Sequence, residues 1–400
     1  MAEWTEYTVA DVILTVIDYR GKTPKKLGGD WSESGYRALS AKNIKTGKIV
    51  QEDSIRYVSE KMYRCWMKEE IQKGDILITS EAPFGQIYYW DSYEKIVLSQ
   101  RLFALRVNNT FYPKYIYFYM ISSLFQAELD CRATGTTVVG LRQPELLKCK
   151  ICAPDYQEQK RIADTLWSIE QKINNNEMIN NNLEQQAQAY FDKLFVVNAD
   201  PNWPECTLSD IGSVIAGGTP SKSKPEYYAD QGIAWITPKD LSVDKSKFIS
   251  RGENDISELG FSKSSATKMP AGTILFSSRA PIGYIAIAQN EVTTNQGFKS
   301  VIPNENIGTA YVYFLLKNLL PTIEGMASGS TFKEISGAAM RSVPTVIPDA
   351  DTIQLFSNLC EPIFKEQEVL ESENKYLSAL RDTLLQKLMS GELDVSDMDL

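Results

Sequence analysis

The sequence predicts an α+β fold in which two tandem β-rich domains are each followed by a long α-helix, and the two helices pair as an antiparallel coiled coil. Three observations predict it. Segments of the first half recur in order in the second half, two long segments carry apolar residues at heptad spacing, and 400 residues suit two domains of about 150 residues each.

The two β-rich domains are predicted from the repeated segments. "GDILITSEAPFGQIY" (74–88) is matched by "GTILFSSRAPIGYIA" (272–286), and "ATGTTVVGL" (133–141) by "ASGSTFKEI" (327–335). Because the order of all such pairs is kept, we interpret the chain as a tandem duplication. Short β-branched and aromatic runs between Gly and Pro turns favour strands, and 112–129 is the best helix candidate inside the first copy.

The two long helices are predicted from their seams. Ile169, Ile173, Asn176, Asn180 and Leu183 step by four and three, and a similar seam follows in the second segment, where Pro362 predicts a helix start or kink and Gly391 the end. A long helix with one apolar stripe needs a partner. We expect the two helices to lie side by side, with the domains at opposite ends of the pair. The alternative is that each helix packs on its own domain.

These patterns give the domain boundaries. We predict a first β-rich domain at 1–155, a central helix at 156–198, a second β-rich domain at 199–349, a distal helix at 350–391 and an acidic tail at 392–400.

Several classes of chemistry are disfavoured by the residues present. The chain has no histidine, which removes Ser-His-Asp and Cys-His catalysis and the commonest metal ligand. "CKIC" lacks a second ligand pair for zinc, and "AGGTPSKS" lacks the glycine that a phosphate loop has before its lysine. We therefore expect no catalytic residue and no metal site. Without a long apolar stretch or a signal peptide, the sequence favours a cytoplasmic protein that does not engage a membrane.

The charge distribution leaves room for DNA binding. The net charge is −9, but residues 156–200 and 350–400 carry −3 and −7, so the β-rich parts are close to neutral. Their matched loops are rich in polar and basic side chains that hydrogen-bond phosphates and base edges. The predicted DNA-binding residues are Arg20, Lys22, Thr23, Lys25, Lys26, Lys42, Asn43, Arg101, Thr134, Thr136, Thr219, Ser221, Lys222, Lys224, Lys239, Arg279, Gln296, Lys299, Ser330 and Lys333.

Several of these motifs carry a resemblance to a known family. With "GGTPS", "APIG", "NQGFK", "SGSTFKEIS" and the ending "LLQKLMSGELDV", the whole chain resembles the specificity subunit of Type I restriction–modification enzymes. The resemblance implies two target-recognition domains, each reading one half of a bipartite asymmetric site in double-stranded DNA. It also implies helices that set the gap between the halves and dock two modification (methyltransferase) subunits, joined by restriction (translocase and nuclease) subunits.

The resemblance further implies that this chain holds no cofactor. S-adenosylmethionine, ATP and magnesium are then expected only in the partner subunits, where the target adenine is flipped. Two alternatives stay open: a DNA methyltransferase with built-in recognition domains, and a scaffold that binds only proteins. The predicted partner-binding residues on the helices are Leu166, Ile169, Ile173, Leu183, Leu370, Leu377, Leu380 and Leu384.

Overall fold

The structure is a computed structural model that describes residues 4–135, 139–329 and 333–393. It divides into two units. Met1–Ile173 with Tyr376–Leu400 make up unit 1, and Asn174–Lys375 make up unit 2. Each unit therefore combines one β-rich domain with one segment from each long helix. Among the described residues, no helix combines the length and apolar character that a membrane crossing requires.

The domain of unit 1 is built from short strands with a few short helices. The strands are β1 (Thr5–Thr8), β2 (Ile13–Asp18), β3 (Tyr36–Leu39), β4 (Ile44–Lys45), β5 (Lys48–Ile49), β6 (Arg56–Val58), β7 (Ile76–Thr79), β8 (Ile87–Tyr89), β9 (Val97–Leu98), β10 (Leu102–Val107) and β11 (Lys150–Ala153). The helices are α1 (Val9–Val12), α2 (Glu60–Trp66), α3 (Pro113–Ile121), α4 (Ser123–Arg132), α5 (Gln143–Leu146) and α6 (Tyr156–Phe191), the last of which continues into unit 2.

Unit 2 repeats this order of elements. Its strands are β12 (Glu205–Thr207), β13 (Gly212–Ala216), β14 (Tyr228–Ala229), β15 (Ile233–Ile236), β16 (Phe248–Ile249), β17 (Asn254–Ile256), β18 (Ile274–Ser278), β19 (Ile282–Ala288), β20 (Thr293–Thr294), β21 (Lys299–Pro303) and β22 (Pro344–Val346). The helices are α7 (Leu208–Ile211), α8 (Pro238–Val243), α9 (Glu258–Ser262), α10 (Thr309–Asn318), α11 (Leu320–Met326), α12 (Gly337–Arg341) and α13 (Ala350–Met389).

The two domains share one sheet topology. The main sheet of unit 1 has the order β2-β10-β7-β8, and that of unit 2 has β13-β21-β18-β19 followed by β16. A second sheet has the order β6-β3-β9 in unit 1 and β14-β17-β15-β20 in unit 2, where β14 is an additional edge strand, and in both the last pair is parallel. The duplication predicted from the repeats is thus confirmed at the level of strand order.

Alternating side chains place a core on each face of the main sheets. On β7, Ile76 and Ile78 pack against helices, while Leu77 lies in a second cluster with the smaller sheet. On β18, Phe276 packs in the cluster that contains helices, and Leu275 lies in the second cluster. Successive strand residues point to opposite faces, so a run that is apolar throughout indicates a strand buried on both sides.

The two long helices begin at matched caps. The Asp155 carboxylate accepts the backbone N–H of Glu158 at 3.0 Å, and the Asp349 carboxylate accepts that of Thr352 at 2.8 Å. The prediction at Pro362 was a helix start or a kink. The helix α13 begins at Ala350 and continues through Pro362, so the start is wrong and the kink stays a prediction. It ends at Met389, and Gly391 follows with a φ of +72°, the left-handed conformation typical of a helix end.

Within each unit, segments of the two helices contact each other in antiparallel order. In unit 2, the side-chain amides of Asn176 and Asn180 donate to Glu373 at 2.6 Å and to Glu371 at 3.2 Å. In unit 1, Arg381 pairs with Glu170 at 2.8 Å. The predicted fold class is confirmed. Both helices also pack on the β-rich domain of the unit, because Leu166 and Leu388 are buried in the core of unit 1.

One helix differs from its prediction. The apolar segment 112–129 forms two helices, α3 and α4, rather than one. Ser122 interrupts them with an extended backbone, φ −68° and ψ +156°, and its hydroxyl donates to the carbonyl of Tyr119 at 2.6 Å. A serine side chain that bonds the nearby backbone competes with helix continuation, which explains the break.

Candidate nucleic-acid interface

Unit 1 presents a cleft of about 830 Å³ where four loops converge. Its lining residues are Asp18, Tyr19, Arg20, Gly21, Lys22, Ser80, Glu81, Gln100, Arg101, Thr134, Gly140, Leu141 and Arg142. We call it the first-domain cleft. Three of these loops follow β2, follow β7 and precede β10, so the main sheet fixes where they begin or end. The fourth lies between α4 and α5. Four of the lining residues are predicted DNA-binding residues: Arg20, Lys22, Arg101 and Thr134.

Two cations on the loop after β2 are held in place by neighbours. The Arg20 guanidinium bonds both carboxylate oxygens of Asp18, at 2.9 and 2.8 Å, and lies 3.8 Å above the ring of Phe103. The Lys22 ammonium donates to the carbonyl of Trp66 at 2.9 Å. Such contacts hold long side chains in one orientation, which reduces the entropy lost when a phosphate or base edge is bound.

Arg101 occupies an unusual backbone conformation at the rim of this cleft. Its φ is +64°, in the left-handed region that favours glycine, and the matched position of the second copy is Gly297. Its side chain is half exposed and pairs with Glu81 at 2.9 Å. Arg101 also lines an adjoining cleft of about 240 Å³ with Lys42, so it lies where the two clefts meet. Strained residues of this kind cluster at functional sites.

Asn43 requires a correction, because it is buried and serves the fold. It is 1% exposed, and its side-chain oxygen accepts from the backbone and the hydroxyl of Ser40 at 3.1 and 2.8 Å. Its amide group donates to Val50, Gln51 and Ser54. A side chain whose hydrogen bonds are all satisfied inside the domain cannot contact DNA directly. The neighbouring Lys42 is exposed.

Three further residues chosen in unit 1, Thr23, Lys25 and Lys26, do not line the first-domain cleft. Lys25 and Lys26 are exposed on the short 3₁₀ turn Lys25–Leu27, where the Lys26 ammonium donates to the carbonyl of Gly21 at 2.9 Å. The hydroxyl oxygen of Thr23 accepts from the backbone of Lys26 at 3.3 Å. Thr136 lies outside the described residues.

Unit 2 has a cleft of about 490 Å³ on its smaller sheet. Its lining residues are Thr219, Lys222, Tyr228, Trp235, Thr237, Pro238, Lys239, Glu253, Asn254, Asn295 and Gln296. We call it the second-domain cleft. It brings together four of the predicted DNA-binding residues: Thr219, Lys222, Lys239 and Gln296. Lysines, amides and an aromatic edge are the groups that bind phosphates and base edges in nucleic-acid interfaces.

The "GGTP" turn beside this cleft requires its glycines. A Cβ on Gly217 would lie 1.9 Å from the carbonyl oxygen of Asn295, and the indole of Trp235 donates to the carbonyl of Gly218 at 3.0 Å. Lys222 is exposed at the cleft, and Lys239 pairs with Glu253 at 2.6 Å, a hydrogen bond that raises the pKa of Lys239. Lys222 is thus accessible at the cleft, and Lys239 is held there by its ion pair with Glu253.

The other residues chosen in unit 2 divide into accessible and buried groups. Lys333, Ser221 and Lys224 are exposed but do not line the cleft, and Lys224 lies 3.7 Å from Glu226. Lys299 requires a correction: it is 8% exposed and lies 3.6 Å from Glu334 and within 3.4 Å of the Ser278 hydroxyl, so it is not free to reach DNA.

Glu334 also holds a second predicted residue. Its other carboxylate oxygen is 3.3 Å from Arg279, which remains partly exposed. Ser330 lies outside the described residues. The sequence pattern "NQGFK" placed Lys299 in a polar loop, but the structure places it at the start of β21, with the side chain directed into the domain.

The helix residues chosen for partner binding also need a correction. Leu166, Ile173 and Leu370 are at most 5% exposed within this chain, and Leu166 belongs to the core of unit 1. They cannot dock a second protein. The other five are only partly buried, and partner binding through them stays a prediction: Ile169, Leu183, Leu377, Leu380 and Leu384.

Comparison with known proteins identifies the family. The model of the Type I restriction modification DNA specificity domain matches residues 1–185 and again 201–357. The chain belongs to this family. Each match covers one β-rich domain and extends into the long helix that follows it, α6 or α13, so the chain carries two tandem specificity domains.

Named relatives and a solved structure agree with the family. The MjaIX specificity subunit of Methanocaldococcus jannaschii is 40% identical over 179 residues, covering 42% of this chain and 41% of the relative. The HindI specificity subunit of Haemophilus influenzae is 24% identical over 409 residues, covering 82% and 88%. The crystal structure of an S subunit from M. genitalium shares the fold, with a TM-score of 0.65, 18% identity and coverage of 97% and 96%.

Proposed function

We propose that this chain is the non-catalytic DNA-reading subunit of a Type I restriction–modification complex, in which each specificity domain reads one half of a bipartite asymmetric site. The observation that carries the proposal is the duplication of one sheet topology, with polar and basic loops gathered at a cleft in each copy. Two readers of different loop sequence suit a site whose halves differ, because sequence is read by side chains at base edges.

The long helices are proposed to set the gap between the two half-sites and to dock two modification subunits. The helix α6 has 36 residues, which corresponds to about 54 Å of helix. Successive turns of the major groove are about 34 Å apart, so a helix of this length suits two half-sites about one turn apart. Restriction subunits with translocase and nuclease activity would join the same complex.

The reaction chemistry is assigned to those partner subunits. The chain has no histidine, and within residues 4–135, 139–329 and 333–393 no cluster of acidic and cysteine residues suits a metal ion. We propose that S-adenosylmethionine, ATP and magnesium are bound by the partners. The relatives named above are specificity subunits, which fits a role in recognition.

A domain exchange tests the division of labour. Residues 1–155 are replaced by the corresponding domain of a related specificity subunit, and the full chain is assembled with its modification subunits. Selection from random-sequence duplex DNA then gives the preferred site. We expect one half-site to change while the other half and the gap stay as in the parent, and exchange of residues 199–349 to change the opposite half. A change of both halves in either exchange would contradict the proposal.

The two alternatives have distinct outcomes. A methyltransferase with built-in recognition domains would crosslink to labelled S-adenosylmethionine as the isolated full chain, and we expect no such crosslink. A scaffold for proteins alone would enrich no DNA sequence in the selection, with or without modification subunits.

A further inference from the structure

A buried lysine joins the second specificity domain to both long helices. Lys247 immediately precedes β16 and is 7% exposed. Its ammonium pairs with Glu184 on α6 at 2.6 Å and donates to the side-chain oxygen of Gln367 on α13 at 2.7 Å. All of these residues belong to unit 2. One side chain of the domain is thus bonded to both helices at once.

The backbone beside Lys247 is fixed to α13 as well. The carboxylate of Glu371 accepts the backbone N–H of Lys247 at 2.9 Å and that of Phe248 at 3.0 Å. The carbonyl of Lys247 in turn accepts from Ile287 on β19 at 2.7 Å, so the attachment is continuous with the main sheet of the domain. Any rotation of the domain on the helices has to break these bonds together.

The surroundings of the ammonium give the attachment one geometry. It lies 3.8 Å from the ring centre of Phe364 and 4.6 Å from that of Tyr313, while Lys317 pairs with the other oxygen of Glu184 at 2.6 Å. A buried charge is tolerated only when it is paired and hydrogen-bonded. Displacement of Lys247 would leave Glu184 without its buried partner, so the position of the domain is strongly specified.

The ionisation of the cluster agrees with this geometry. Burial acts to raise the pKa of Glu184, but the ammonium groups of Lys247 and Lys317 outweigh it and hold the pKa below its usual value. Burial lowers the pKa of Lys247, against the pairing with Glu184. Glu184 is therefore a carboxylate at neutral pH, as the ion pair requires.

We infer that Lys247 is a positioning residue that fixes the orientation of the second specificity domain on the helices and thereby sets the length of the DNA gap that the subunit accepts. The inference rests on the proposed function. A change of one base pair in the gap moves a half-site by about 3.4 Å and rotates it by about 35° around the duplex. A domain in one fixed orientation cannot contact a half-site that has moved in this way. A domain that can rotate on the helices can still contact it.

The test uses the full chain assembled with its modification subunits and a selection from random-sequence duplex DNA, so no site has to be known beforehand. For the wild type we expect one dominant gap length, with gaps one base pair longer or shorter at least tenfold rarer. For Lys247→Met, which keeps the packing but removes the ammonium, we expect the same two half-sites, with the neighbouring gaps less than about threefold rarer.

The chain offers a matched control and a second variant. Lys375→Met removes an ammonium from α13 whose partner Asp244 lies at 3.1 Å, but both side chains are partly exposed, and such pairs fix little. It should keep the gap distribution of the wild type. If Lys247→Met fails to fold, Glu184→Gln combined with Lys247→Met removes both charges of the buried pair. The ammonium of Lys317 then loses its pair with Glu184 but is partly exposed to solvent, and the double variant should broaden the gap in the same way.

The outcomes separate this inference from the proposed function. A wild type that selects no bipartite site contradicts both. A wild type with one dominant gap, and a folded Lys247 variant with the same gap distribution, overturns the inference and leaves the proposed function standing. A variant that changes the half-site sequences rather than the gap also overturns the inference, because it would show that Lys247 acts on recognition itself.

Discussion

Replacing Arg101 by glycine separates the stability of the first domain from its binding of DNA. The substitution copies the second domain, where Gly297 occupies the matched turn. Relief of the left-handed backbone, φ +64°, should stabilise the fold by about 1 kcal/mol. A glycine costs about 0.5–1 kcal/mol through the freedom of the unfolded chain. Loss of the partly exposed pair with Glu81 costs about 0–1 kcal/mol.

These contributions nearly cancel, so we expect the free energy of unfolding of Arg101→Gly to stay within about 1 kcal/mol of the wild type. DNA binding should respond differently, because Arg101 lies where two clefts meet. A lost contact with a base edge costs about 1–3 kcal/mol of binding, which corresponds to roughly fivefold to 150-fold in Kd. A lost phosphate contact would instead lower the slope of log K against log salt by about 1.

The assay is fluorescence anisotropy with the selected duplex at several salt concentrations, beside chemical denaturation of the same samples. Arg64→Ala is the matched control, because Arg64 is an exposed arginine in an ion pair with Glu60 and does not line either cleft of unit 1. It should leave Kd unchanged. An Arg101→Gly variant of normal stability that binds DNA with unchanged affinity and salt dependence would refute the reasoning.

Three further predictions follow from single contacts. Asn43→Ala should lower the free energy of unfolding by about 2 kcal/mol in chemical denaturation, because it removes a buried network of hydrogen bonds. The Kd of the folded variant for DNA should equal that of the wild type. A different Kd under conditions where the variant is fully folded would contradict a purely structural role. Lys222→Glu should lower the slope of log K for DNA binding against log salt by at least about 1. The control Lys263→Glu changes an exposed lysine outside the second-domain cleft and should leave the slope unchanged. If both variants gave the same slope, Lys222 would not be part of the interface. The pKa of Glu184 is lower in the folded chain than in the unfolded chain, where it is about 4.3, so the ionised carboxylate stabilises the fold above that pH. This stabilisation is lost as the pH falls through the lower folded pKa. The melting temperature of Glu184→Gln should therefore lie below that of the wild type at pH 7, by a difference that shrinks towards pH 3; a difference independent of pH would contradict the assignment.

The fold was predictable because its signals repeat. The same strand and turn sequence occurs in both copies, so an ambiguous apolar run in one copy is supported by its partner in the other. The heptad spacing predicts the two long helices, and caps such as Asp155 and Asp349 are visible as residues before an apolar run. The break at Ser122 was missed because the two serines of the segment, Ser122 and Ser123, give no local indication of which hydrogen bonds their side chains form.

The candidate interface was predictable as a set of loops but not residue by residue. Asn43 and Lys299 are of residue types that often contact DNA. Their burial depends on partners that are separated from them along the chain. The pairing of Arg101 with Gly297 in the duplicate does not explain the backbone of Arg101, because the left-handed conformation occurs at Arg101 and not at Gly297. Lys247 gave no signal at all, because a lone lysine in a polar loop reads as an exposed residue until Glu184, Gln367 and Glu371 are seen around it.

The core of the first domain has a consequence for synthesis on the ribosome. Leu385, Leu388 and Met389 are buried among residues of that domain, although more than two hundred residues separate them along the chain. The domain emerges first, yet its apolar surface is complete only after residues 376–389 have left the exit tunnel. At about 5–20 residues per second, that surface stays uncovered for roughly ten to fifty seconds, during which the nascent chain has to be kept from aggregating.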